Sequence, residues 1–556
     1  MKTTSLGFTA MARWAGLILS AWALLVPWRA MCVGTWSSVA PGAIKPVVTL
    51  MLLLPDGTVM AAEAGTSSNW YRLTPDVHGS YINGTWSNLH PMNDARQFYA
   101  SAVLRDGRVF VAGGEYSTGG GGAKAEVYNP ANNSWTEIPV PSGLLNTNNG
   151  NPGFSDSGCM LLPDGTVMIS PVTPAVYGGT VLFDPTSNTL SQGPILTNGA
   201  YNTDEQSWVK LPDDSILTFG KDLHSQRYIP SLGQWIPDRD LPVELYNFAT
   251  EIGAGLLLPD GRAFYLGSTG TNVFYTPSGT TGRGTWTQAT NIPGAFCAWD
   301  NPAAMTVDGK VLCFFGCGQN PNGIYEFEPA ADTFIPAGSW DTSGRPHAML
   351  ALPDGNILMG DGLTTVVHVY IPSGAPIPAG KPAISSITAN IAGVSYHLTG
   401  TKLNGISAGA AFGDDAQMDS NYPLVRLTDS GGDVYYARTY NWSSTGVATG
   451  SAVVSTEFAV PGAVPPGTYS LVVVVNGNPS DPVSFIYNGP VWVDFNYTIG
   501  AEDGSYAFPF DTLAKGLSAV SSGGTIAIKP GLSHETLTVS TPTTITAVGG
   551  SATIGQ

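Results

Sequence analysis

The side chains able to do chemistry recur at equivalent points along the chain. Counted back from a series of Pro-Asp-Gly-like turns, the strand starts carry Arg96 and Tyr99, Asp156, Asp204 with Glu205 and Gln206, Glu251, Trp299 with Asp300, and Arg345 with His347. Only 12% of residues are charged, so their gathering at these points is informative. Carboxylates accept hydrogen bonds from hydroxyls, and the faces of Trp208, Trp299 or Tyr99 can stack on a sugar ring. The set therefore suits a hydroxylated ligand such as a carbohydrate. Two carboxylates flanking a glycosidic bond, such as Glu205 and Glu251, would serve as acid and base. Arg345, Tyr99 and His347 would support β-elimination on a uronic acid, with Tyr99 and His347 as the candidate catalytic groups. The competing use of the same side chains is structural: they cap strands and pair with one another, Arg96 and Arg345 with the acids.

The element that must position them is a repeat. An apolar strand, an Asp-Gly-like turn and a second apolar strand recur seven times, at Asp56, Asp106, Asp164, Asp213, Asp260, Asp308 and Asp354, spaced 50, 58, 49, 47, 48 and 46 residues apart. Asp-Gly between two apolar β-rich runs is a strong hairpin signal. Each hairpin is followed by a strand ending in an aromatic residue near a proline (Tyr128, Phe183, Tyr228, Tyr275, Phe327, Tyr370). A strand opened by Trp or another apolar residue comes next (Trp86, Trp135, Leu190, Trp235, Trp286, Phe334). Four strands in about 50 residues make a propeller blade. The seventh blade lacks its last strand, and an unpaired one stands at Trp36, so circular closure by the N-terminal strand is expected. This predicts a seven-bladed β-propeller over 34–380, with the strand starts converging on its central channel. Across the Asp308-Gly309 turn residue 317 sits opposite about residue 300, close to Cys297, so a Cys297–Cys317 disulfide is expected.

Beyond Lys381 the pattern changes. Alternating strands such as 395–398, 434–438 and 469–475 predict an immunoglobulin-like sandwich over 381–489. Residues 490–556 read as a short helix over 512–520 followed by short strands at 525–529, 536–539 and 543–548, the opening of a parallel β-helix. Residues 1–30 read as a secretory signal peptide, since the apolar run from Trp14 to Trp28 is short for a membrane span. The remainder has no second such run. The fold class is all-β: 68 Gly and 42 Pro with few charges exclude helical bundles and disordered chains. Lys and Arg number 23 against 41 Asp and Glu, and the net charge of −18 without a basic cluster excludes a nucleic-acid partner.

The Gly113-Gly114 hairpin end, the aromatic-proline strand and the Trp strand together resemble kelch repeats. A seven-bladed kelch propeller followed by an early-set sandwich resembles the secreted galactose oxidase and glyoxal oxidase family over residues 34–489. Residues 421–427 and 440–443 look like that family's C-terminal domain. The resemblance implies a copper site built from a Cys-crosslinked Tyr, an axial Tyr with an adjacent His, and a second His from the C-terminal domain. The crosslinked Tyr belongs in 95–99, where the register falls on Phe98 and Tyr99 lies one residue out. The Tyr-His pair belongs in 344–347, where the register falls on Arg345-Pro346 and His347 lies one residue out. Blade one has no cysteine in 45–54. Gly413-Asp414-Asp415-Ala416-Gln417 stands where the second His belongs, with His397 and His368 the nearby alternatives. The copper-radical ligands are thus not retained, and no cofactor is expected. The expectation is a secreted, monomeric binding protein for a carbohydrate or a cell-surface partner. The alternatives are a copper-dependent galactose- or glyoxal-oxidase-like oxidoreductase, or a polysaccharide lyase or hydrolase without copper.

Overall fold

The computed structural model describes residues 33–555, apart from 119–120, 147–153, 155–156, 198–205, 248–250, 295, 318–322, 339–345 and 413–415, with the backbone alone at 409–412 and 416–419. The expected signal peptide, residues 1–30, lies outside the described residues, as does Cys32. No helix among the described residues is long and apolar enough to cross a membrane.

The chain is a seven-bladed propeller because one local device is repeated. At six of the Asp-Gly turns the glycine takes the left-handed conformation that such a tight reversal requires, for example Gly57 at φ 76° and Gly355 at φ 89°. Blade four puts Asp214 in that place, at φ 63°. The preceding aspartate steadies the reversal by accepting from the amide two residues on. Asp56 accepts from Thr58 at 3.1 Å, Asp106 from Arg108 at 3.0 Å and Asp354 from Asn356 at 3.1 Å. From hub to rim, blade two runs Ala100–Val103, Val109–Ala112, Ala125–Asn129 and Ser134–Ile138, and the other blades follow the same order.

Blade seven combines Ala348–Ala351, Ile357–Gly360 and His368–Ile371 with the N-terminal strand Thr35–Ser38. Trp36 lies opposite Tyr370, with ring centres 4.8 Å apart, and its indole N–H donates to the Ala337 carbonyl of blade six at 2.8 Å. The ring is closed, so neither terminal blade leaves a bare edge. Neighbouring blades are joined by stacked aromatics, Phe110 on Phe183 and Phe264 on Phe327, at 4.1 and 4.3 Å.

Eight strands between Ala383 and Tyr487 form the expected sandwich-like domain, as one sheet that curls into a half-barrel. The joint is Val434–Tyr440. Its first half pairs with Leu424–Thr428 and its last three residues pair with Val453–Ala459, so one strand serves both halves. This domain covers the turn face of the propeller. The Thr439 amide donates to the Pro55 carbonyl, the Asn441 amide to the Arg105 carbonyl, and the Tyr436 ring sits where a Cβ on Gly57 would be.

One feature was not visible in the sequence. The hairpin Gly409–Phe412 and Ala416–Asp419 leaves the half-barrel and enters the propeller channel. It pairs with the inner strand of blade six, Ala303 opposite Ala411 and Ala304 opposite Ala410, and touches the inner strands of blades one, two, three, five and seven. The central channel is therefore occupied by backbone: a two-stranded ribbon lies in the hub left by the seven short inner strands. The last segment is a parallel two-face coil: Val491–Val493, Thr525–Ile528 and Thr544–Ala547 on one face, Gly531–Ser533 and Ala552–Ile554 on the other. The helix is Leu513–Ala519, as its spacing predicted, but the strand expected at 536–539 is absent and Gly531–Ser533 takes that role.

Candidate functional site

The inner strands begin on the propeller face opposite the Asp-Gly turns, away from the half-barrel, and the candidate side chains lie around that face. Asp156, Asp204, Glu205 and Arg345 lie outside the described residues. The others fall into two sets, with His347 apart.

The first set is on blade two, and its sequence-predicted members are turned inward. Arg96 is buried at 1% exposure. Its guanidinium donates to Glu126 Oε1 at 2.6 Å and to the carbonyls of Gly113 and Lys124 at 2.9 and 3.1 Å. Glu126, also buried, accepts from the Asn93 amide and side chain at 2.9 and 2.7 Å. Arg96 is thus a clamp between strands, which corrects its expected place in a ligand ring. A buried guanidinium must be met by charge and by carbonyl acceptors, and these are supplied locally. Tyr99 is corrected likewise. It packs at 4% exposure against Trp70, 6.4 Å between ring centres, and burial pushes its phenol well above the ordinary tyrosine range.

Phe98, one residue before, adopts φ 53° and faces outward against Tyr116, with ring centres 6.0 Å apart. A bulky residue in the left-handed region is a strained position of the kind found at functional sites. Tyr116 is 50% exposed. This aromatic pair was missed in the sequence. The signal was present, since Tyr116 follows Gly113-Gly114 at the same face, on the outgoing strand where no residue was sought. Trp208 is also corrected: it is buried edge-to-face on Trp235, 5.4 Å between centres.

The second set lies where blades five and six meet. Trp299 and Asp300 are half-buried, Asp300 at φ 46°, and its amide donates to the Ile252 carbonyl at 3.2 Å, which brings it beside Glu251. Asn301, fully buried, donates through Nδ2 to the carbonyls of Cys297 and Gly316 at 3.2 and 3.1 Å. Cys297 and Cys317 are joined by a disulfide. His347 belongs to neither set: it stands at the start of blade seven's inner strand, half-buried with its ring against the Gly362 backbone, and its amide donates to the Gly360 carbonyl at 2.9 Å.

Residues 98–139 match the family described as Kelch motif. Blade two of the propeller thus carries a kelch motif. A galactose oxidase of Gibberella zeae is 40% identical over 55 residues, which are 10% of this chain and 8% of that enzyme's length. Among solved structures, a fungal alcohol oxidase of the AA5 family in complex with copper covers 82% of this chain and 100% of its own, at 14% identity and TM-score 0.49. A streptogramin B lyase covers 61% of this chain and 98% of its own, at 13% identity and TM-score 0.44.

The copper-radical donor set does not fit the described residues. Phe98, half-buried against Tyr116, has no oxygen to offer, and the Tyr99 phenol is in the blade core. Cys159 donates to the Ser101 carbonyl at 3.1 Å, Cys313 is buried in blade six, and the other two described cysteines are paired with each other. The alternative imidazole His397 pairs with Glu457 at 2.8 Å on the half-barrel, and His368 lies in the third strand of blade seven. No group of three His, Cys, Asp or Glu among the described residues is arranged to hold a metal ion.

Proposed function

We propose that this is an exported carbohydrate-binding protein whose ligand surface is the rim of the open propeller face. The observation that carries this is the Phe98–Tyr116 pair, an aromatic wall kept outward at the expense of backbone strain. An aromatic face covers the C–H face of a sugar ring, and the polar groups of blades five to seven, Glu251, Asp300 and His347, take the hydroxyls. The plugged channel confines the ligand to the rim, which suits a polymer lying across the face.

Affinity electrophoresis in gels containing soluble polysaccharides tests this. Retardation in at least one gel is expected, and Tyr116→Ala should weaken it by about tenfold, or ~1.4 kcal/mol. Unchanged mobility across galactan, xylan, mannan and glucan gels would remove the reading.

The 55-residue likeness to galactose oxidase favours a second reading, an oxidase. Copper added to the purified chain separates the two. The binding reading expects less than 0.1 equivalent retained after dialysis, and no peroxide from primary alcohols or aldehydes. One equivalent of copper with peroxide release would establish the oxidase.

A further inference from the structure

We infer that the Cys297–Cys317 disulfide and the buried Asn301 amide form a positioning brace for Trp299 and Asp300, so that ligand binding at the rim depends on the oxidation state of this cysteine pair. The inference rests on the rim being the ligand surface.

The segment 297–301 belongs to no strand, yet it is fixed from several sides. The disulfide ties its start to Cys317, 20 residues on. The Gly316 amide donates to the Cys297 carbonyl at 3.0 Å, and Ala298 forms a parallel bridge with Gly316. Asn301 closes the other end, its one amide group donating to the carbonyls of both Cys297 and Gly316. Gly253 leaves no room beneath Ala298, since a Cβ there would lie 2.6 Å from the alanine methyl. Held between these anchors are Trp299 and Asp300, the latter in a left-handed conformation that aspartate tolerates better than most side chains and that the anchors fix here.

The blade itself does not need the brace. The strands enclosed by the disulfide, Ala303–Met305 and Val311–Phe315, have their own ladder, with Ala303 opposite Cys313 and Met305 opposite Val311. Reduction by a dithiol transfers two electrons and two protons to the cysteine sulfurs and oxidises the dithiol to its own disulfide. Cys317 is half-buried and gives the reductant access. Once the covalent tie is cut, the remaining hydrogen bonds hold the segment alone and Asp300 relaxes.

The test is hydrogen exchange by mass spectrometry on the full chain, oxidised and after dithiothreitol, with thiol mapping of both samples. Peptides covering 297–301 and 314–317 should exchange at least tenfold faster after reduction, and those of 100–112 and 303–313 should not change. Cys317→Ser should reproduce this without reductant. Asn301→Asp, which sets a carboxylate against two carbonyls, should loosen the same peptides while the disulfide stays intact. In an affinity gel, reduction should cost about tenfold in retardation, restored on reoxidation. Free thiols in the untreated protein, exchange unchanged at 297–301, or acceleration in every peptide would each overturn the brace. If the oxidised protein is retarded by no polysaccharide, the binding reading fails, and the exchange result still decides the brace.

Discussion

Arg96 shows how residue type and residue use part company. An arginine beside the start of an inner strand reads as a ligand group, yet it is consumed by Glu126 and two carbonyls, out of contact with water. Removing one partner of a buried pair strands the other. Arg96→Ala should therefore cost about 3–5 kcal/mol in urea unfolding, while Arg96→Ala,Glu126→Ala recovers part of that. If Arg96→Ala is as stable as the parent and loses only carbohydrate retardation, the clamp assignment is wrong. Asp354 makes the complementary case for a buried acid without a cationic partner among its main influences. Burial pushes its carboxyl up to about 6, against backbone and side-chain hydrogen bonds from Asn356 that work the other way. A raised acid is stabilising in its protonated form. That contribution is complete below about pH 4, fades as pH rises through 6, and leaves the ionised group as a burden at neutral pH. Asp354→Asn should therefore gain on the parent by about 2–3 kcal/mol between pH 4 and pH 7.5. A stability difference that stays flat across that range would refute the shift.

At the scale of elements, legibility follows the distance over which each element is specified. The seven hairpins were readable because the Asp carboxylate, the left-handed residue after it (glycine in six of them) and the flanking apolar runs lie within about ten residues of each other. Closure was readable too, although Thr35–Ser38 and His368–Ile371 are far apart, because one strand was missing from one blade and one was spare. The register at Phe98, with Tyr99 one residue out, was readable, yet Tyr99 was still taken as a ligand group although one residue's shift turns it to the blade core. The hairpin in the hub was unreadable for another reason. Its pairing with Ala303 and Ala304 spans more than a hundred residues, and Gly-Ala-Ala-Phe carries little pattern. Closure itself can be weighed. Trp36 is half-buried and contributes ring contact with Tyr370 and one indole hydrogen bond, so Trp36→Ala should cost about 2–3 kcal/mol. The loss should appear mainly as faster unfolding in stopped-flow traces, since a seam joining the two ends of the propeller forms late. An unchanged unfolding rate would mean that the seam contributes nothing to holding the ring shut.

For the whole molecule, the half-barrel is tied to the propeller twice, and this decides how the chain comes apart. From inside, the 409–419 hairpin extends the sheet of blade six and touches five other inner strands. From outside, Thr445 Oγ1 donates to the Leu162 carbonyl at 2.8 Å, Lys210 Nζ donates to the Thr445 carbonyl at 2.7 Å, and the Tyr422 hydroxyl bonds the Leu53 carbonyl. Blades one, three and four are thus pinned to the same domain. If the half-barrel left first, it would vacate the hub and strip the polar ends of those inner strands. If the propeller opened first, the hairpin would lose the ladder that shapes it. Neither part has a cheap intermediate, so scanning calorimetry should show one transition for the two together. Gly57→Ala probes the coupling at one atom. The added methyl meets both a backbone at φ 76° and the Tyr436 ring. A cost of about 2–4 kcal/mol is expected from strain and overpacking, placed in a propeller turn by a half-barrel side chain. The single transition should move down by a few degrees without splitting. Two resolved transitions, with only the smaller displaced by the substitution, would show that the domains unfold independently and that the hairpin is a passenger in the channel.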